Sequence, residues 1–194
     1  MILPILAYGD PVLRKVGKKI DKEYLNLEAL IENMTETMHN AKGVGLAAPQ
    51  VGKSVRLFII DASPFEENEE LDEDERTFLK DFKGVFINPQ IINEDGGEWA
   101  FNEGCLSIPN INEDIFREER IDIEYLDENF KVHKKTLDGL AARIFQHEYD
   151  HIEGVLFTDK LSTLKKRLLK KKLANISKGN IDVAYRMKFP LLKK

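Results

Sequence analysis

Hydrophobic residues recur along this chain with two different periods, and these periods predict where helices and strands lie. From residue 24 to 41 the apolar positions follow one helix face, which predicts a core helix ending before Gly43. Residues 55–60 and 85–87 are short apolar runs typical of strands. Residues 121–126 alternate between apolar and polar positions, and a turn joins them to 130–137, which predicts a hairpin.

A second helix is predicted over residues 139–152, and one of its faces carries both apolar and metal-binding side chains. The residues on that face are Leu140, Ile144, His147 and His151. Two imidazoles four positions apart can bind one metal ion without distorting a helix. Glu148 is turned by about 100° from His147, which suits a base that reaches a water molecule better than a third ligand. The pattern is typical of a metal-dependent hydrolase, and the alternative is a surface helix that carries two histidines by chance.

Familiar metallopeptidases take their third ligand from downstream of such a motif, but this chain offers none of the usual kinds there. The pattern His-Glu-x-x-His-x-x-Gly-x-x-His fails at its last position, because Phe157 cannot bind a metal. From residue 158 to 194 there is no glutamate, and the carboxylates are those of Asp159 and Asp182. A downstream carboxylate is therefore a poor candidate.

Upstream, the single cysteine of the chain is the candidate third ligand. Cys105 follows Gly104 and precedes Ser107 and Pro109, so it lies in a turn-like segment rather than in an apolar run. A lone cysteine is often a small buried hydrophobic residue, and that reading stays open. A thiolate at Cys105 would complete a Cys-His-His site with one open position, the arrangement that catalytic sites use to hold an attacking water.

The composition places these patterns in one globular domain, residues 1–194. The chain is 42% hydrophobic and 32% charged, values that suit a single domain with a sizeable core. It has no apolar run of about 18 residues, so no membrane partner is expected, and residues 1–5 lack the regions of a secretory signal. One cysteine cannot form an intramolecular disulfide, and a thiolate ligand needs a reducing compartment. These features predict a cytoplasmic protein.

Charge is divided unevenly between two segments. Residues 66–75 hold eight acidic residues in ten positions, which predicts an acidic surface insertion over residues 62–83. Residues 159–194 carry a net charge of +10, against −15 for residues 1–158. Leucines at helical spacing in this basic C-terminal tail predict an amphipathic helix that contacts nucleic acid or another anionic surface; the alternative is a solvated helix end. Because every candidate catalytic residue precedes Gly154, the tail is expected to be separable from the chemistry.

Three blocks of sequence, taken together, resemble the peptide deformylase family. They are Gly-Val-Gly-Leu-Ala-Ala-Pro-Gln at 43–50, Glu-Gly-Cys-Leu-Ser at 103–107 and His-Glu-Tyr-Asp-His at 147–151. Alone, the two glycines of the first block indicate only a close approach of the backbone to a ligand or a positive φ. The joint occurrence of the three blocks, in this order and across most of the chain, makes the resemblance specific.

The resemblance implies a fold, an activity and a set of site residues. The implied fold is α+β, with a central metal-binding helix surrounded by small antiparallel β-sheets and with a C-terminal helix. The implied reaction removes the N-formyl group from the formyl-methionine of newly synthesised chains, which makes the ribosome an expected contact of the basic tail. The implied metal ligands are Cys105, His147 and His151. Glu148 is the implied base, Gln50 and the backbone N–H of Leu106 are the implied oxyanion donors, and the expected substrate-binding residues are Val44, Gly45, Glu103, Leu140 and Ile144.

The identity of the metal and two competing functions stay open. A Cys-His-His set of intermediate softness binds several divalent ions. Zinc is common at such sites, whereas the resemblance favours Fe²⁺, with Zn²⁺, Ni²⁺ or Co²⁺ as alternatives. The competing functions are a metallopeptidase of another class and a non-catalytic, metal-stabilised binding module. Gln50 and Cys105 argue against the first, and Glu148 argues against the second, because a structural site has no use for a free carboxylate beside an open position.

Overall fold

The protein combines α-helices with one long antiparallel sheet. The computed structural model describes residues 1–192. Its helices are α1 Leu27–Asn40, α2 Glu73–Asp81, α3 Gly139–Ile152 and α4 Thr163–Ser177. Its strands are β1 Ile5–Leu6, β2 Gly45–Ala47, β3 Leu57–Asp61, β4 Lys83–Cys105, β5 Ile108–Leu126, β6 Val132–Leu137 and β7 Met187–Lys188. Strands β2 to β6 form a five-stranded antiparallel sheet in sequence order, and β1 pairs with β7. The expected α+β class is confirmed, although the small β1–β7 pair is parallel rather than antiparallel.

The hairpin of β4 and β5 is the largest element of the sheet and is much longer than the strands predicted at 85–87 and 121–126. Its register shifts at four places along the pairing, and each shift interrupts the alternation that a regular strand shows in sequence. At its tip, Leu106 and Ser107 form a two-residue turn between the paired residues Cys105 and Ile108. Gly104 pairs with Asn112, so residues 109–111 are looped out of the ladder beside this turn.

Helix α3 is the central element, and its residue range is the predicted one. Most of its side chains are buried, because the helix packs against β2, β3 and β5. Phe145 makes edge-to-face contacts with Phe58 of β3 and Phe86 of β4, a favoured aromatic geometry. These contacts fix the rotation of the helix, and the face with His147 and His151 is directed towards the tip of the β4–β5 hairpin.

The acidic segment at 62–83 is packed against the core rather than simply solvated. Asp72 caps α2, and its side chain accepts a hydrogen bond from the N–H of Glu75. Leu79 is fully buried in the same cluster as Leu140. Glu75 Oε1 also accepts a hydrogen bond of 2.9 Å from the backbone N–H of Leu140, at the start of α3. Apolar residues spaced among the acidic ones therefore attach this segment to the helix that carries the histidines.

The basic tail is likewise part of the packed structure. Helix α4 buries Leu169, Leu173 and Ile176 against the body of the protein, and β7 pairs with β1 at the opposite end of the chain. This packing argues against a tail that is separable from the chemistry, which the activity of a truncated protein would test. None of the helices in residues 1–192 is long and apolar enough to cross a membrane.

Candidate active site

Three side chains with metal-binding chemistry meet where the tip of the β4–β5 hairpin faces α3. Cys105 ends β4, and His147 and His151 come from consecutive turns of the helix. Cys105 Sγ lies 3.3 Å from His151 Nε2, and one ligand atom from each of the three residues lies within 4.8 Å of the others. The donor set is one thiol and two imidazoles, which suits zinc or a first-row transition metal with room for a further ligand.

The surroundings of the three side chains fit a bound cation. His147 Nδ1 lies 2.9 Å from Glu103 Oε2, which leaves its other ring nitrogen for a metal, as in many metal-binding histidines. Burial opposes the charged form of His147, yet Cys105 and Glu103 raise its pKa well above the usual value. Burial, with the charge of His147, lowers the pKa of His151 well below the usual value. A neutral imidazole, the form that binds metal, is thus favoured at His151, whereas His147 must lose a proton when a cation binds.

Glu103 is the centre of a buried network that the sequence did not reveal. Arg117 donates to both of its carboxylate oxygens at 2.7 and 2.9 Å, and Arg143 donates to Oε1 at 3.1 Å. Burial alone would raise the pKa of Glu103, but hydrogen bonds with Arg117 and His147 hold it well below its usual range. Glu103 was expected to bind substrate. Both of its oxygens are paired with these partners in the structure, one of them His147, and a direct contact of Glu103 with substrate stays a prediction.

Glu148 lies beside the three-residue cluster and is not needed as a ligand. It is only 4% exposed, and its Oε2 has no hydrogen-bond partner within residues 1–192. Burial raises its pKa to about 7, and the nearby positive charge of His147 only partly opposes this shift. A carboxylate with a pKa close to neutral is suited to take up and release a proton. The backbone of Gly45 passes directly over this carboxylate, and a Cβ at that position would lie 2.7 Å from Glu148 Cδ.

Gln50 directs its amide group at the cluster from the opposite side. Its side-chain oxygen accepts a hydrogen bond of 2.8 Å from the N–H of Ala47, which fixes the amide orientation. Its Nε2 then lies 3.2 Å from Ser107 Oγ and 3.6 Å from Cys105 Sγ. Gln50 is 2% exposed, so this neutral donor is held in a site with little water. Leu106 follows Cys105 in the hairpin turn and lines the same space.

These groups border an open cleft of about 580 Å³. The structure brings ten of the residues expected at the site into its lining, while the buried His151 lies behind it. The residues that line it are Val44, Gly45, Gln50, Glu103, Cys105, Leu106, Leu140, Ile144, His147 and Glu148. Leu140 and Ile144 also pack in the core cluster, with Val44 against its edge, so these residues belong both to the wall of the cleft and to the core.

The cleft also has lining residues that the sequence did not predict. Phe65 comes from the acidic segment, Phe101 from β4 and Tyr185 from the basic tail. Charge dominates the sequence around Phe65, whereas Tyr185 belongs to residues 181–189, where apolar residues occupy every second position and give a strand-like signal that was overlooked. Arg143 gave a usable signal, because it precedes His147 by one helical turn and so had to lie near the same face. Arg117 gave none.

Comparisons with known proteins agree on one family. The family model described as polypeptide deformylase matches residues 2–167. The peptide deformylase of Christiangramia forsetii is 67% identical over all of this chain and 99% of its own length, and that of Flavobacterium johnsoniae is 59% identical over the same shares. A crystal structure of a peptide deformylase from Legionella pneumophila superposes with a TM-score of 0.78 at 37% identity, covering 93% of this chain and 98% of that one. With its Cys-His-His cluster and its neighbouring glutamate, the chain belongs to the polypeptide deformylase family.

Proposed function

We propose that this protein hydrolyses the N-formyl group from the N-terminal formyl-methionine of newly synthesised chains and releases formate. The observation that carries this proposal is the position of Glu148, buried and without a partner for its Oε2 in residues 1–192, beside the cluster of Cys105, His147 and His151. Members of the family are metal-dependent hydrolases of this kind. A structural metal site would not place an unpaired carboxylate at the edge of an open cleft.

Cys105, His147 and His151 would hold the metal ion, with Glu103 fixing the ring of His147. When bound, a divalent ion polarises the formyl carbonyl and lowers the pKa of a water molecule towards about 7. Fe²⁺ is the ion we propose, and the thiolate that binds it calls for the reducing conditions of the cytoplasm. Metal analysis of protein purified without oxygen tests this, and a native preparation that holds only zinc would exclude iron.

Side chains and backbone groups around the cluster transfer the proton, stabilise the oxyanion and bind the methionine side chain. Glu148 takes the proton of the attacking water and delivers it to the leaving amine nitrogen, for which a pKa of about 7 is well matched. Gln50 Nε2 and the backbone N–H of Leu106 donate to the carbonyl oxygen as it becomes negative. Val44, Leu140 and Ile144 line the cleft with apolar surface, which suits the methionine side chain. The small formyl group meets less steric hindrance at the buried cluster than an internal peptide bond would.

An assay of the free methionyl amine released from a formyl-methionyl dipeptide and from its acetyl counterpart, with formate measured for the first, tests the proposal. We expect rapid release from the formyl compound and cleavage of the acetyl compound that is slower by about a hundredfold or more, a two-decade difference being roughly 3 kcal/mol in the barrier. Glu148→Gln serves as the control, because it keeps the volume of the side chain but cannot accept the proton. Efficient cleavage of internal peptide bonds in an unfolded protein would instead favour a metallopeptidase.

We also propose that α4 brings the enzyme to the ribosome. Lys170, Lys171 and Lys172 are exposed on this helix, and the exposed Leu164 and Leu168 lie on its surface with side chains accessible at 66% and 70%. The net charge of +10 in residues 159–194 supports contact with phosphates.

The test is co-sedimentation with ribosomes at two salt concentrations. Changing Lys170, Lys171 and Lys172 to glutamine should weaken binding and reduce its salt dependence while dipeptide turnover is unchanged. The matched control replaces three exposed lysines far from α4 in sequence, Lys18, Lys19 and Lys22, with glutamine. Equal loss of binding in both variants would show that only net charge matters, and no loss in either would refute the contact through α4.

A further inference from the structure

A short stretch of the tail, residues 182–185, forms one wall of the active cleft, and we refer to it as the C-terminal strap. It is anchored on both sides. Asn110 Nδ2 donates to the carbonyl of Asp182 at 3.3 Å, and the N–H of Ile5 donates to the carbonyl of Arg186 at 2.9 Å. The strap then continues directly into β7 and its pairing with β1. This wall lies outside residues 2–167, the part of the chain that the family model matches.

The strap contacts the hairpin turn through the hydroxyl group of Tyr185. Tyr185 Oη donates a hydrogen bond of 2.7 Å to the carbonyl oxygen of Leu106. The next carbonyl, that of Ser107, accepts from the N–H of Tyr8 at 2.8 Å. Tyr185 is partly buried beside Cys105, and this burial raises its pKa, so the hydroxyl is protonated and can donate. Both carbonyl groups of the two-residue turn are thus held from outside the hairpin.

We propose that Tyr185 is a positioning residue, which fixes the backbone of Leu106 so that its N–H stays directed at the formyl oxygen. Its hydrogen bond holds the plane of the peptide between Leu106 and Ser107, whereas the N–H of Leu106 belongs to the preceding peptide. The pairing of Cys105 with Ile108 closes the two-residue turn on the other side, so φ and ψ of Leu106, which join the two planes, have little freedom. Tyr185 acts through Leu106 and does not itself bind the reacting atoms. This inference rests on the proposed function, because it assigns Leu106 as an oxyanion donor.

The expected effect is specific to the transition state. The Leu106 N–H matters most when negative charge develops on the carbonyl oxygen, so loss of its orientation should lower kcat and leave KM nearly unchanged. Complete removal of an oxyanion donor lowers kcat by about 10²- to 10³-fold. Loss of its support should have a smaller effect, and we expect kcat to fall about five- to fiftyfold, below that range.

The experiment compares Tyr185→Phe with the metal-loaded parent protein. The variant removes one hydroxyl and keeps the ring. Kinetics on a formyl-methionyl dipeptide give kcat and KM, and calorimetry measures the binding of a tetrahedral phosphonate analogue of the formyl group and of the methionyl dipeptide product. The matched control is Tyr24→Phe, since Tyr24 is half-buried and its hydroxyl makes no hydrogen bond within residues 1–192.

The proposal is supported if Tyr185→Phe has a lower kcat and binds the phosphonate more weakly by the same factor. Its KM, its affinity for the product and its number of binding sites should stay unchanged. Kinetics equal to those of Tyr24→Phe would overturn it. So would a reduced number of sites with full affinity at each, which indicates partial unfolding, or a raised KM at constant kcat, which indicates ground-state binding by the wall. Failure of the parent protein to release formate would refute the proposed function instead, so the two failures are distinguishable.

Discussion

Gly45→Ala should disable the enzyme by displacing Glu148 rather than by unfolding the protein. A Cβ at position 45 would lie 2.7 Å from Glu148 Cδ and 2.8 Å from its Cγ, and closer still to Oε1. Because carbon atoms pack at about 3.5 Å or more, the carboxylate must retreat by roughly 0.8 Å. A displacement of about 1 Å at a reacting group can lower the rate about a hundredfold, so we expect kcat to fall about thirty- to a hundredfold. That range corresponds to about 2–3 kcal/mol in the activation barrier.

Gly84→Ala is the matched control for this variant. Gly45 and Gly84 pair with the same residue, Ile60, from the two sides of β3. A Cβ at Gly84 would meet only the Phe86 ring, at 3.9 Å, which is an ordinary contact. Overpacking at Gly45 should cost about 1–3 kcal/mol of stability, which lowers the Tm of a chain of this size by roughly 2–12 °C.

The assay measures formate release at saturating dipeptide, the metal content of each variant and its thermal unfolding curve. Gly45→Ala should keep its metal and its fold while kcat falls. If its kcat stayed close to the Gly84→Ala value at equal metal content, the close contact between Gly45 and Glu148 would not matter for catalysis.

The same site leads to four further predictions. Glu148→Ala should retain metal and lose about 10²- to 10⁴-fold in turnover, and parallel loss of metal and activity would make Glu148 a ligand. Glu103→Gln should weaken metal affinity about 10- to 100-fold, measured by competition with a chelator, and unchanged affinity would contradict its role in orienting His147. Peroxide should inactivate the iron form faster than a nickel form because iron and the Cys105 thiolate are oxidised together, and equal rates would place the damage elsewhere. Truncation after Leu161 should abolish dipeptide turnover, since it removes the C-terminal strap, and an active truncated protein would show that this wall is dispensable.

The metal cluster was largely predictable from the sequence because its geometry is mostly local. Helical spacing alone placed His147, Glu148 and His151 relative to one another, and the range predicted for α3 matches the structure. Cys105 could be identified as the candidate third ligand, because no downstream residue was suitable and its own surroundings are turn-like. The structure brings its sulfur to His151, as the hypothesis of a shared metal requires.

The network around Glu103 was not predictable, because it depends on register. Glu103 pairs with Glu113 across the hairpin, whereas its partner Arg117 pairs with Trp99. The contact of Glu103 and Arg117 is therefore diagonal, on a face of the hairpin that only the folded sheet defines. Register shifts also interrupt the alternation of polar and apolar residues that would have indicated the length of β4 and β5.

The role of the tail was hidden for a different reason. Strands β1 and β7 have two residues each, which is too few for their pairing to be predicted from the sequence. The strong positive charge of the region predicts an external partner. However, α4 and the C-terminal strap also make contacts within the protein. Composition describes what a segment can attract, but it does not reveal which of its residues face inward.

The pairing of Ile5 with Met187 ties the first strand to the last one, and this has a consequence for how the enzyme is made. At a synthesis rate of about 5–20 residues per second, the roughly 180 residues between these strands take on the order of ten seconds or more to emerge. Until then β1 has no partner, and closing so long a loop is a slow kind of step. The histidines and the cysteine can already be in place while the cleft still lacks one wall. A chain that stops short of β7 would therefore keep its metal ligands and lack one wall of its substrate site.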